Sequence, residues 1–130
     1  MILLDASVLI DFSRTKGRDP KLSGLLTSLP VRVCGLTRTE VLAGARDAAE
    51  RSRLVRLLDG FVQLPTDESV WDPVGDNLAA LCRSGLTVPF QDVVLVTIAI
   101  QAGIELWARD HHFPAMQRVL RALRLFVEPP

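Results

Sequence analysis

The chain is predicted to fold as a layered α/β domain on a parallel sheet, and two observations predict it. Short apolar runs bounded by turn residues alternate with stretches of helical periodicity, a pattern that joins parallel strands through helical crossovers. With 130 residues and 48% apolar content, the chain can also bury one continuous core without disulfide or metal staples. A second domain is not expected. No repeat, low-complexity tract or linker breaks the alternation.

Taken in order, Ile2 to Leu4 reads as a buried strand and Ala6 to Ser13 as a short helix. Pro20 to Leu29 follows as a helix with Leu22, Leu25, Leu26 and Leu29 at helical spacing, and Pro30 stops it. Val31 to Cys34 is a second strand, and Thr37 to Ala45 and Ala48 to Leu58 form a helical pair around Arg46 and Asp47. Phe61 to Leu64 is the third strand. Asp67 to Arg83 reads as a longer helix capped by Asp67, with Pro73 signalling a kink or a later start. Phe90 to Ala102 has the β-branched residues of a strand, but its length exceeds a buried strand and Gly103 suits a helix end. A helix there, apolar on nearly all sides, would be buried with Asp92 in its first turn at the rim of the core. Ile104 to Ala108 and Leu123 to Val127 are the remaining strands.

Composition narrows the function classes. Fifteen basic residues balance fifteen acidic ones, so the chain lacks the basic excess of a protein that holds nucleic acid by bulk electrostatics. Nucleic acid is not thereby excluded, since four carboxylates neutralised by metal would leave the remainder net positive. Thirteen of the fifteen cations are Arg, the better phosphate fork, although genomic base composition explains that preference equally well. Cys34 and Cys82 stand far apart with no Cys/His grouping, which suggests neither a zinc site nor a disulfide framework and fits a reducing cytoplasm. No apolar stretch reaches the roughly 18 residues needed to span a bilayer, and the first residues lack a basic leader region. A soluble cytoplasmic protein is expected, with no membrane partner.

Four acidic residues carry most of the information. Asp5 follows Ile2-Leu3-Leu4, Glu40 closes Leu36-Thr37-Arg38-Thr39-Glu40, Asp92 follows Pro89-Phe90-Gln91, and Asp110 follows Leu106-Trp107-Ala108-Arg109. Each lies at the end of an apolar segment or on a probable helix start, where an open α/β sheet builds its ligand crevice. Each also has an ordinary role: Asp5 and Asp110 as helix caps, Asp92 as a first-turn acid favoured by the helix dipole, Glu40 on a solvated face. Convergence of all four would require a hard divalent cation such as Mg²⁺ or Mn²⁺, because uncompensated carboxylates repel.

The segments Met1 to Phe12, Leu36 to Ala45, Val88 to Val94 and Leu106 to Phe113 resemble the PIN-domain family, and within it the VapC-type toxin ribonucleases of toxin–antitoxin pairs. The resemblance spans nearly the whole chain, one PIN-like domain over residues 1–130. It implies a three-layer α/β/α fold with a central five-stranded parallel sheet. It further implies a Mg²⁺- or Mn²⁺-dependent endoribonuclease whose catalytic metal ligands are Asp5, Glu40, Asp92 and Asp110, with Ser7 as a supporting hydroxyl and Thr37 as a weaker one. Whether one ion or two would bind stays open. The implied partners are an RNA substrate, a second copy of the chain in a homodimer, and a cognate VapB-type antitoxin placing an Arg among the carboxylates. One departure stands out: Ala108 occupies a place where the family often has Thr or Ser shortly before the fourth acid.

Other residues fit blander roles. Thr37 and Glu40 suit a capping box. His111 and His112 read as a solvent-facing helix start and a neighbour of Phe113, not as a catalytic base. Trp71 and Trp107 read as core. Arg46, Arg51, Arg53 and Arg56 share a helical side that either meets phosphate or is simply solvated; Arg46 and Arg109 are the cations assigned to RNA. Two rival readings are a catalytically silent PIN-like binding protein and a receiver-type signalling module. The second fares poorly, because Lys16 and Lys21 are the only lysines and neither is placed late in the chain.

Overall fold

The computed structural model describes residues 1–130. Its strands are β1 (Ile2–Leu4), β2 (Val31–Cys34), β3 (Val62–Leu64) and β4 (Glu105–Trp107), joined as a parallel sheet in the order β3-β2-β1-β4. Ile2 pairs with Val31 on one side and Glu105 on the other, and Arg32 pairs with Val62. The helices are α1 (Ala6–Arg14), α2 (Pro20–Ser28), α3 (Gly35–Ala43), α4 (Ala48–Asp59), α5 (Trp71–Arg83), α6 (Phe90–Ala102) and α7 (His112–Val119). None is long and apolar enough to cross a membrane.

The alternation of side chains along a strand divides the core into two layers. Leu3 and Leu106 pack with Val74, Leu95, Phe113 and Met116 on the α5–α7 side. Ile2, Leu4, Val33 and Trp107 pack with Leu9, Leu22, Val41 and Leu58 on the α1–α4 side. The sheet is therefore sandwiched between helical layers, as expected. Each fully buried Leu contributes about 1.5–3 kcal/mol of burial. Cys34 and Cys82 are both free thiols.

Five strands were expected and four form. The segment Leu123 to Val127 adds only a single parallel bridge between Leu106 and Leu125, in which Leu106 donates to the Arg124 carbonyl and Phe126 to the Leu106 carbonyl, both at 2.8 Å. Side chains hold this segment instead. The Phe126 ring lies 4.9 Å from that of Trp107, and Glu128 accepts from Trp107 Nε1 at 3.0 Å.

Two local expectations change, for Thr37 and Trp71, and the alternatives at Pro73 resolve to the later start. Helix α3 starts at Gly35, with Cys34 in the N-cap position and no side-chain cap, so Thr37 lies inside the first turn and forms no capping box. Thr37 is instead fully buried, and its Oγ1 donates to the Leu4 carbonyl at 2.7 Å. Asp67 caps a short 3-10 turn over Glu68–Val70 and α5 begins only at Trp71. This puts Pro73 in the first helical turn, where its missing N–H is no loss. Trp71 is 46% exposed, not core, while Trp107 is buried as expected.

Helix α6 keeps its expected bounds, and Gly103 ends it in the left-handed region at φ 68. A Cβ at Gly103 would meet nothing within 4 Å, so Gly103→Ala should cost only the backbone penalty, about 1–2 kcal/mol. Urea unfolding should show a lower midpoint with an unchanged slope; an unaltered midpoint would contradict the left-handed turn.

Candidate active site

In the strand order, β2 and β3 lie to one side of β1 and β4 to the other. Chains leaving β1 and β4 diverge there, and such switch points open a crevice at the carboxyl ends of the strands. Asp5 leaves β1 at this place, and its N–H donates to the Trp107 carbonyl of β4 at 2.9 Å. Its side chain caps α1 through Oδ2, which accepts from the Ser7 N–H at 3.0 Å and from Ser7 Oγ at 2.5 Å. Ser7 Oγ in turn accepts from the Arg109 N–H at 2.9 Å. One hydroxyl thus ties Asp5 to the exit of β4. The cap occupies only Oδ2, so capping leaves Asp5 Oδ1 for another partner.

The other three acids arrive from separate elements. Glu40 projects half-buried from α3, which packs on α1 and α6. Burial, and then Asp5, Asp92 and Asp110, raise its carboxyl above the ordinary range. Asp92 sits in the first turn of α6 and is 8% exposed. Burial above all, reinforced by Asp5 and Asp110 and opposed by His112, pushes its carboxyl up to about 6. Asp110 is exposed, and its Oδ1 accepts from the His111 N–H at 2.8 Å. These mutual effects place all four carboxylates in one electrostatic neighbourhood. No three are drawn close enough to form a ready-made coordination shell, as expected of like charges that lack a cation.

Asp92 Oδ2 is buried without a hydrogen-bond partner, an exception among buried polar atoms. His112 Nδ1 lies 3.4 Å from that oxygen, too long for a good hydrogen bond. Its Nε2 lies 3.2 Å from Asp110 Oδ1. His112 therefore stands between two of the acids instead of simply packing beside Phe113, and His111 alone keeps the solvent-facing role. An all-oxygen donor set with an unpartnered carboxylate oxygen fits a hard divalent cation.

Two of the assigned residues carry contacts within the fold. The Arg109 guanidinium is engaged within the chain: Nε and Nη2 both donate to Glu128 at 2.8 Å, and Nη1 donates to Asp11 at 3.1 Å. These bonds raise the Arg109 pKa and hold Glu128 below the ordinary carboxylate range. Thr37 lies beneath the cluster, bracing the β1 end through the Leu4 carbonyl. Arg46 stands apart, before α4, paired with Glu50 at 2.8 Å. Ala108 is half-buried against the α5–α7 core. The parts that sequence reasoning missed are Asp11 and Glu128. No local pattern joins them to Arg109, since the contacts span 98 and 19 positions.

The fold and this clustering of acids define the class. The PIN domain family model matches residues 2–119, and the chain belongs to the PIN-domain family. It is similar to Ribonuclease VapC11 of Mycobacterium tuberculosis, with 28% identity over 125 residues covering 92% of this chain and 93% of the relative. Among solved structures, VapBC2 from Rickettsia felis bound to a promoter DNA fragment has a TM-score of 0.79 at 17% identity, covering 97% of this chain and 98% of the other. Mycobacterium tuberculosis VapC20, described as a Sarcin-Ricin loop cleaving toxin, has a TM-score of 0.74 at 17% identity, covering 99% and 100% of the two chains.

A raised folded-state pKa makes ionised Asp92 a destabilising group. Its penalty is absent below the unfolded carboxylate value near 4, grows as pH rises, and is complete above about 6. In EDTA at pH 7.5, as a test condition of about that value, Asp92→Asn should therefore raise stability by about 1–3 kcal/mol. The gain should vanish toward about pH 4. Thermal unfolding across this range checks it, and a variant less stable than the parent at the higher pH would refute the electrostatic origin.

Proposed function

We propose that the chain is a Mg²⁺- or Mn²⁺-dependent endoribonuclease acting as the toxin of a toxin–antitoxin pair. The observation that carries this reading is the buried, unpartnered Asp92 Oδ2 in the electrostatic neighbourhood of three further acids at the switch point of the sheet. Support comes from the similarity to a protein named Ribonuclease VapC11 and from a neighbouring fold described as a loop-cleaving toxin. Asp5, Glu40, Asp92 and Asp110 would hold the metal. When bound, a divalent cation supplies positive charge for the phosphoryl oxygens and for the attacking water.

The chain's own residues do the positioning. Ser7 fixes one oxygen of Asp5, so the other meets the crevice in a single orientation. The buried α6 presents Asp92 from its first turn. His112 reaches both Asp92 and Asp110 and so spans two of the acids. An antitoxin Arg would satisfy the same carboxylates as a bidentate donor, which makes inhibition by charge replacement chemically reasonable.

Asp5→Asn and Asp92→Asn should each reduce RNA cleavage by at least two orders of magnitude, on the order of the loss of one major catalytic contribution, with the fold intact by circular dichroism. His111→Gln should retain most of the activity. Cleavage of a labelled RNA with Mg²⁺, with Mn²⁺ and with EDTA decides the matter; full activity in EDTA would sink the metal mechanism. An Arg-containing antitoxin peptide should bind more weakly as Mg²⁺ rises. Calorimetric affinity indifferent to Mg²⁺ and to replacement of Asp5 and Asp110 by Asn would place the inhibitory contact elsewhere.

A further inference from the structure

The outer face of the α1–α4 layer carries a groove of about 480 Å³. One wall is the end of α1 and its following turn, with Arg14 and Lys16; the other is the start of α4, with Arg46 and Arg53. Ile10, Val41 and Leu54 also line it. Four cations thus face one another across a lining whose single carboxylate is Glu50.

Glu50 offsets only part of this charge, because its one carboxylate is shared by Arg46 and Arg53 and the lining stays net positive. Its Oε1 accepts from the Arg46 N–H at 3.2 Å, while Oε2 accepts from Arg46 Nη2 at 2.8 Å and lies 3.5 Å from Arg53 Nη2. The Glu50 N–H meanwhile donates to the Asp47 cap at 2.7 Å. This is a reciprocal helix-start arrangement of the capping-box kind, and it holds two guanidiniums side by side. Arg14 and Lys16 make no ion pair at all.

Lys16 adds an independent sign. It is the one residue other than Gly with positive φ, at 54, in a turn where Gly17 donates to the Phe12 carbonyl at 3.2 Å. That six-residue closure puts Lys16 at a helix-end position that favours Gly, because a side chain there crowds its own backbone. The chain instead places a long cation there, facing Arg46 and Arg53. The closed turn fixes the backbone from which this exposed lysine, free of any ion pair, reaches over the groove.

The groove and the acidic cluster share two helices. α1 begins at the Asp5 cap and ends at Arg14, a span of about 14 Å at 1.5 Å per residue. Glu40 on α3 directly precedes the groove residue Val41. We infer that this groove binds the phosphate backbone of single-stranded RNA to one side of the cleavage point and leads the strand to the carboxylates. The inference rests on the ribonuclease reading and names the part of the chain that holds substrate.

The test is fluorescence anisotropy of a short labelled single-stranded RNA with the full chain in EDTA, repeated across salt concentrations. Lys16→Gly, Arg14→Gln and Arg53→Gln should each weaken binding several-fold and lower the salt slope by about 0.7 per cation removed. Lys16→Gly should do so while unfolding at the same or a higher temperature, since it relieves the left-handed strain; this separates binding from folding. Arg83→Gln, on α5 in the opposite layer, should change neither quantity. Unchanged affinity and slope in the groove variants, an equal loss in Arg83→Gln, or no binding by the parent chain would each overturn the inference, the first leaving the groove to a protein partner. Cleavage in Mg²⁺ is scored separately. A parent that binds through the groove but cuts nothing removes the ribonuclease reading and leaves the groove; a parent that cuts with KM unaffected in the groove variants does the reverse.

Discussion

Four carboxylates held at one end of a sheet repel one another, and much of this fold is the structure needed to keep them there. The repulsion is visible in the acids themselves: Glu40 and Asp92 are both raised, and burial and the neighbouring acids act in the same direction. A flexible scaffold would relax by swinging the side chains into water. Here Asp5 is pinned by Ser7 and Asp92 by a helix whose residues Val93 to Ala99 are all buried. Backbone motion at either position would expose core, so the electrostatic cost is borne by packing.

The remaining supports come from far along the chain. Arg109 bonds Glu128 near one end and Asp11 near the other, and its own N–H donates to Ser7. The residue expected to grip RNA is thus the clamp that draws α1, the exit of β4 and the last segment together. Its guanidinium is about a quarter exposed, as is Glu128, and a forked pair in that setting is fixed more firmly than a surface ion pair. Thr37 serves the same end from beneath, by satisfying the Leu4 carbonyl one residue before Asp5. These polar contacts set geometry, while the two apolar layers supply the stabilising area.

Charge is separated across the molecule even though it sums to zero. Acids crowd the strand ends, and cations gather along the groove beside α1, Arg14 and Lys16 among them without an ion pair. Such a division suits a polyanion that must be attracted overall yet meet carboxylates at one place, since a cation at the acids would reverse the local sign. A net charge of zero is thus a poor guide to nucleic-acid contact when the two signs occupy different faces.

What the sequence determined by itself is the set of elements and the positions of the four acids. Apolar runs of strand length and the thirteen-residue α6 closed by Gly103 are local signals, because propensity, length and a left-handed helix end act within a few residues. Asp5, Glu40, Asp92 and Asp110 were legible for the same reason, each standing beside such a signal. Tertiary structure alone decided that the last segment makes one bridge instead of a strand, that Thr37 braces β1 instead of capping α3, that His112 reaches two acids, and that Arg109 is spent on Glu128 and Asp11. Those outcomes depend on which polar group lies nearest in space. Hydrogen bonding saturates each donor with the partner that packing brings to it, and packing is settled by the sheet order, not by neighbours in the chain.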